Sequence, residues 1–464
     1  MLKKTYHILF LLGLFFFPFN EYEGIPVLGE FKTEAGALFL ISGFLLLVIE
    51  SMFTKKISIP YKSIVFKILI VFLLWCIVST VLNAPSVSTN FFKHTGGVNR
   101  FIRQYFALLI SSLIFFLFYW NVLIKMELKD ILFKIRKVFL YSLIIASIYG
   151  FLETLVSFFH IGFLLPVLKL LDYFPFLEVT LHAEGRISSI SYEPPFFAIY
   201  LITISGWMFS YILTNKGIFK FLPTIAILLL TFFSGSRTGL MVVFFQFVIL
   251  ITILFKERTF RKYIINALSS FMIILSILLV FNGEKIIKAV SEKIESLDFK
   301  GNLKKNISNK SRFGMQYASL QVFKENPIIG VGFGQQSYYS RHHYPIWATS
   351  NNYEFDLWYK NKNEKSFPPG YNIYTRLLAE TGIIGFFIYL TLIFVSISIS
   401  KKIIKKASAE KRYLGIILLI SFSGLYINGL QVDTFRIYGI WLCLAILIRI
   451  LSEKPNYVSR VNTD

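Results

Sequence analysis

Apolar runs of roughly 17–25 residues recur along the chain, joined mostly by short polar connectors, which is the spacing of helices that cross a bilayer. The pattern predicts an all-α, polytopic helical membrane protein with about 12 transmembrane helices, at about 6–19, 36–53, 64–82, 101–123, 138–159, 195–214, 221–234, 239–255, 264–281, 383–400, 413–431 and 437–451. Several of these are short, which tilting or partial immersion accommodates. One polar interval breaks the rhythm. Residues 282–382 are too long for a connector and read as part of a working site. The chain therefore divides into a bundle over 1–281, a large external loop over 282–382, and a second bundle with a cytoplasmic tail over 383–464. Short helices are expected inside the long loop. Ile286, Ile287, Val290, Ile294 and Leu297 fall at helical spacing, as do Met315, Ala318, Ser319, Val322 and Phe323 before the stop at Pro327. A second external loop, 161–194, carries Phe163, Leu164, Leu165, Val167, Leu168 and Leu171, an apolar set suited to a helix lying in the interface.

Composition agrees: 55% hydrophobic and only 16% charged excludes an ordinary soluble domain. The net charge of +22 invites a nucleic-acid reading, but the basic residues sit mostly in short loops beside apolar runs, where membrane orientation explains them. Lys55 and Lys56, then Lys125 to Lys137, Lys256 to Lys262 and Lys401 to Arg412 mark one side as cytoplasmic. The loops at 21–34 and 83–100 are nearly free of lysine, so both termini are expected in the cytoplasm and 282–382 outside. The two cysteines, Cys76 and Cys443, lie inside apolar runs and argue against a disulfide framework or a metal-thiolate site. Met1 to Phe19 mimics a signal peptide but lacks a small-residue cleavage site, so a retained first span is expected.

The candidate chemistry lies on the external side. Arg237 stands in Ser234-Gly235-Ser236-Arg237-Thr238-Gly239, between two apolar runs. Arginine at membrane depth costs on the order of 2.5–3.5 kcal/mol, so it wants a reason. Either it snorkels to the headgroups, or it clamps an anion by pairing with phosphate oxygens. Arg186 and Arg312 share its side, and three converging arginines would match a diphosphate. Glu193 directly precedes Pro194-Pro195, where it either favours a helix start or serves as a general base at the mouth of the bundle. His342 and His343 have no Cys, Asp or further His at ligand spacing, which speaks against a metal. With Tyr338, Tyr339, Tyr344, Trp347 and Trp358 nearby they suit sugar recognition, and one of them is a second candidate proton acceptor. Gly330-Val331-Gly332-Phe333-Gly334 lacks the strand and the Lys-Ser/Thr pair of a nucleotide loop and reads as a tight turn bringing backbone close to another surface. Asp433 and Arg436 are expected to pair, and Arg100 and Arg103 to open the fourth span; a shared cleft is the alternative for all four.

Taken together, Ser234-Gly235-Ser236-Arg237, Arg312 with the run to Asn326-Pro327-Ile328-Ile329-Gly330-Val331-Gly332, and Asn372 to Leu377 with Glu380 and Gly382-Ile383-Ile384-Gly385 resemble the O-antigen polymerase and O-antigen ligase superfamily of bacterial envelope proteins. Arg186 with Ser191, Glu193 and Pro194 is similar to an Arg…Glu-Pro segment of many polymerases. The motifs cover roughly 40 residues, each degenerate, in the family's order and topological placement. Ligases usually carry a histidine before the Asn that closes the loop; here Tyr371 precedes Asn372, and a phenol is a poor base near neutral pH. That favours a polymerase.

The resemblance implies a metal-independent glycosyltransferase without cofactor in the bacterial inner membrane. It would transfer an undecaprenyl-diphosphate-linked glycan onto a lipid-linked repeat unit at the external face. Arg186, Arg237 and Glu193 would then be catalytic, while Arg312, His342, His343, Tyr371, Asn372 and Glu380 bind substrate. The implied partners are the lipid-linked donor and acceptor, membrane lipids, a chain-length regulator and a flippase, with no nucleic acid. The rival functions are a ligase moving a finished glycan to another acceptor, a lipid-linked oligosaccharide flippase, and a non-catalytic scaffold.

Overall fold

The computed structural model describes residues 2–21, 24–181, 185–256, 306–406 and 408–453, with 261–262, 265–266, 269 and 291 as isolated positions. Apart from those positions, the expected ninth span at 264–281, the helical pattern from Ile286 to Leu297 and the tail beyond 453 lie outside the described residues. The helices in chain order are α1 (Leu2–Phe15), α2 (Ala35–Thr54), α3 (Ile64–Leu82), α4 (Ala84–Thr89), α5 (Gly97–Leu109), α6 (Phe115–Leu123), α7 (Leu128–Ser157), α8 (Leu165–Lys169), α9 (Pro194–Thr214), α10 (Leu222–Phe233) and α11 (Arg237–Phe255). The long loop contributes α12 (Ile307–Glu325), α13 (Gln336–Ser340) and α14 (Ile346–Thr349); then follow α15 (Ile373–Lys406), α16 (Ala409–Asn428) and α17 (Tyr438–Ser452). A small hairpin pairs Phe91–Phe92 with Thr95–Gly96.

The protein is an all-α polytopic membrane protein. Among the described residues, seven helices are long and apolar enough to cross a bilayer: α2, α3, the 27-residue unit of α5 and α6 joined through Ile110–Ile114, α7, α9, α11 and α15. Helices α1, α10, α16 and α17 stand at four further expected spans. In the 161–194 loop, Phe163, Leu170 and Tyr173 are exposed around the buried Leu168 of α8, as an interfacial segment requires.

Helix α16 lies inside the bundle, packing against α9, α11, α15 and α17. Gln246 of α11 lies against Gly424 and donates to the carbonyls of Ile202 and Ile420, each at 3.0 Å, tying α9, α11 and α16 by bonds that leave little polar surface to lipid. On the lysine-rich side two arginines close helix ends. Arg136 reaches Ser210 and Thr214 at the end of α9 and lies 4.0 Å from the Tyr211 ring, while Arg449 donates to Leu123 and Met126 beyond α6 at 3.2 and 3.0 Å. Both place a cation at a carbonyl terminus.

The feature that positions the site is a break in α15. Gly382 has φ 64° and ψ −169°, a conformation essentially confined to glycine, so the helix stops and restarts where the tenth span was expected to begin. The carbonyls released by the break are taken up from outside the helix. Val331 N–H donates to Ala379 at 3.0 Å, Gly332 N–H to Glu380 at 2.9 Å, and the Trp75 indole to Thr381 at 2.9 Å. Ser79 of α3 bonds both Ile329 and Glu380 carbonyls, and Thr80 accepts from Phe333 N–H at 2.9 Å. The Gly330–Gly334 run is thus threaded between α3 and α15 with φ of 69°, 96° and 79° at its three glycines. A side chain on Gly330 would meet the Glu380 backbone at 2.5 Å, which is why the run is glycine-rich.

Gly382→Ala is therefore expected to destabilise by roughly 1–3 kcal/mol or more from backbone strain alone, with added collision against the Ile328 carbonyl. Gly162→Ala, where a Cβ meets open space, serves as the neutral control. Thermal unfolding of the purified protein in detergent measures both; equal midpoints for the two variants would remove the break from its structural role.

Candidate functional site

A cavity of about 340 Å³ opens on the lysine-poor side, where α5, α15, the loop before α17 and the 365–369 arm of the long loop converge. Its lining carries Arg100, Arg103, Lys365, Arg376 and Arg436 against Glu30, Glu380 and Asp433, a surplus of two positive charges. Arg376 is the centre. Its Nε meets Glu380 at 3.1 Å one helical turn on, Nη1 donates to the Asp433 carbonyl at 2.6 Å, and Nη2 donates to Gln104 at 3.1 Å. The pair is almost fully enclosed, so removing either member leaves an unpaired buried charge.

Local sequence explains this placement. Asn372 starts α15 as its N-cap, its Oδ1 accepting from Tyr374 and Thr375 N–H at 2.9 and 3.2 Å. The short helical stretch from there to Gly382 holds Arg376 and Glu380 on one face. Arg100 donates to the Gly334 carbonyl at 3.0 Å and stacks 3.5 Å from the Phe367 ring, so the glycine run and the loop arm both aim it. Arg103 pairs with Glu30 at 2.7 Å. Arg436 pairs with Glu34 at 2.8 Å and also donates to the Glu30 carbonyl. Burial pushes the Glu34 carboxyl up to about 7, against the pull of Arg436.

The residues singled out from sequence fall into three places. Arg312, Tyr371, Asn372 and Glu380 come together at and beside the cavity. Arg312 lies 5.2 Å from the Tyr371 ring and donates to Gln431 at 2.9 Å, and Gly370 N–H donates to the Asp433 carboxylate at 2.5 Å. Burial raises the Tyr371 phenol above its ordinary value, and its hydroxyl lies 2.6 Å from that of Tyr359. Arg186 lies against Gly235, its Nε 3.5 Å from the Ser234 carbonyl, so the Arg186 and Arg237 segments meet one another outside the lining of the cavity. Arg237 is exposed at the first turn of α11, whose N-cap Ser236 accepts from Gly239 N–H at 3.2 Å. Glu193 is the N-cap residue of α9 but makes no side-chain capping bond. His342 and His343 sit at the outer surface, bonded to Arg341 and Glu325, away from the cavity lining. Burial and Arg341 lower the His342 pKa.

Sequence reasoning passed over Arg376 and Gln104. The signal for Arg376 was present: an Arg–Glu pair four apart in a run otherwise continuous with an apolar span. Arg100, Arg103, Asp433 and Arg436 do share a cleft, and the expected Asp433–Arg436 pair is replaced by Gly370 for one and Glu34 for the other. Among the described residues no group of His, Cys, Asp and Glu is arranged to hold a metal ion.

Residues 222–390 match a protein family described as O-antigen ligase. No curated protein matches the chain. The matched stretch contains Arg237, Arg312, the glycine run and the Arg376–Glu380 pair, and it supports the O-antigen polymerase and ligase superfamily and a membrane function of that type.

Glu34 offers a pH test. The folded protein holds its proton up to about 7, whereas an unperturbed Glu releases it near 4.5. The folded state therefore binds more protons between those values, and its stability falls as pH rises through about 7. The thermal midpoint of the wild type should drop between about pH 5 and about pH 8 by more than that of Glu34→Gln. Parallel profiles would show that Glu34 does not titrate in this range.

Proposed function

We propose that the protein is a surface-polysaccharide polymerase of the O-antigen type, a glycosyltransferase working at the external face of the bacterial inner membrane. The observation that carries this reading is the cavity with its cationic surplus, built jointly by the bundle and the long loop on the lysine-poor side of the spans. A glycan joined through a diphosphate to a polyprenol brings two phosphates to such a site. In the reaction the bond from the anomeric carbon to the diphosphate oxygen breaks, and the electron pair leaves with the lipid diphosphate. The acceptor hydroxyl oxygen forms the new glycosidic bond and gives its proton to a base. Arginines held in place by Glu30, Glu34, Glu380 and the Gly334 carbonyl are preorganised for the charge that develops, which is the economical way to stabilise it.

In this reading Arg376, Arg100 and Arg436 hold the diphosphate, with Arg312 beside Tyr371 and Gln431 next to them. Arg186 and Arg237, which meet outside the cavity lining, are assigned a second phosphate-binding role and Glu193 that of proton acceptor. Asp433 competes for that last role because its side chain lines the cavity. Tyr371, with its phenol raised by burial, supports polymerase over ligase: a base is wanting where ligases carry histidine.

In a deletion strain, Arg186→Ala, Arg237→Ala, Arg312→Ala and Arg376→Lys should each abolish long-chain polysaccharide at unchanged protein level, leaving single-repeat glycans on the lipid acceptor. Normal chain-length ladders with both Arg237→Ala and Arg376→Lys would overturn the proposal, and loss of single-repeat products as well would point to a ligase. Comparing Glu193→Gln with Asp433→Asn assigns the base: the variant that retains wild-type turnover is not it.

A further inference from the structure

Glu153, in the last turns of α7, is 0% exposed inside a membrane-spanning helix, and no ion pair to it exists among the described residues. A carboxylate in that position is costly, which makes it a functional question by default. Its two oxygens are spent on backbone: Ser188 N–H donates to Oε1 at 3.2 Å and Ser189 N–H to Oε2 at 2.8 Å. Ser189 has φ 51°, the left-handed region that a serine seldom occupies, and such strain persists only where the surroundings over-determine it. They do so here. Ser189 Oγ donates to Ala146 at 2.8 Å, Ile187 N–H to Phe233 at 3.2 Å, Ser191 Oγ to Pro18 at 2.8 Å, and Tyr192 N–H to the Asn20 side chain at 2.7 Å. The turn so fixed carries Arg186 on one side, laid against Ser234 and Gly235, and Glu193 on the other.

We propose that Glu153 is a positioning residue: its buried carboxyl group templates the strained Ser188–Ser189 turn and thereby sets Arg186 against the Ser234–Arg237 segment and Glu193 at the start of α9. The assignment of a role to Arg186 and Glu193 rests on the polymerase reading; the templating of the turn does not. A carboxyl group is suited to the task because each of its two oxygens can accept from one of two adjacent N–H groups. An amide in its place keeps the shape but turns one NH₂ toward a backbone N–H.

Two readouts on the full-length protein test this. Hydrogen exchange of the purified chain should show peptides covering 187–192 exchanging about tenfold faster or more in Glu153→Gln, with α9 and α16 unchanged. In cells, long-chain polysaccharide should fall on the order of a hundredfold, as expected when reacting groups are displaced by about an ångström. Adding Ser189→Gly, which accepts the left-handed conformation without strain but gives up the Ser189 Oγ bond to Ala146, should recover part of both. Unchanged exchange over 187–192, or no recovery in the double variant, would overturn the proposal. Faster exchange with recovery, joined to full activity of Arg186→Ala, would keep the template and sink the polymerase role of the segment. If Glu153→Gln does not accumulate, Glu153→Asp, with both oxygens set one methylene short, goes through the same measurements under the same criteria.

Discussion

The break of α15 at Gly382 is the constraint on which the site depends. A continuous helix would satisfy the carbonyls of Ala379, Glu380 and Thr381 internally. The broken one needs donors from outside: the Gly330–Gly334 run and the Ser79 and Trp75 side chains of α3. In a bilayer an unsatisfied carbonyl costs several kcal/mol, so these partners are obligatory and lock the long loop onto two spans. The same run delivers the Gly334 carbonyl to Arg100, and the turns before the break carry Arg376 and Glu380. Backbone satisfaction and site assembly are one event.

The arginines divide by what they neutralise. Arg136 and Arg449 lie on the lysine-rich side at helix C-terminal ends, Arg136 donating to the Ser210 and Thr214 hydroxyls and Arg449 to the Leu123 and Met126 carbonyls, where each supplements a macrodipole. Those of the cavity are held by carboxylates and single carbonyls, yet the lining keeps more positive than negative charge. Partial compensation is the arrangement an anion site requires. Full pairing would leave nothing for the ligand, and no pairing would leave several like charges close together in a poorly solvated space. Glu34 shows how near the balance lies, since burial holds its proton to about 7 even beside Arg436.

Most of the fold was legible because apolar run length is set by bilayer thickness, and helices stand at the expected spans among the described residues. The glycine run was legible too: three glycines in five residues exclude a helix and imply close backbone approach. The site was read only in part. Arg312, Tyr371, Asn372 and Glu380 were found at or beside the cavity, whereas Arg376 was missed because an enclosed Arg–Glu pair looks on paper like any exposed one four residues apart. Arg100 and Arg103 come from α5 and Asp433 and Arg436 from the loop before α17, far apart in sequence, and no periodicity reports such convergence. Glu153 was invisible for another reason: its partners are backbone N–H groups, which leave no trace in residue identity.

These placements change what the long loop is for. Its arm at 365–369 walls the cavity, Lys93 from the small hairpin anchors that arm through the Trp358 and Ser366 carbonyls, and Phe367 supplies the face on which Arg100 stacks. The charged groups nearest the centre nevertheless belong to α5, α15 and the loop before α17. The arm is held by the Lys93 bonds and by the packing of Phe367 against Phe92 and Tyr338, whose ring centroids lie 5.8 and 5.6 Å away. The loop therefore closes one wall of the cavity and aims Arg100, while Arg376 at its centre is fixed by partners in the bundle.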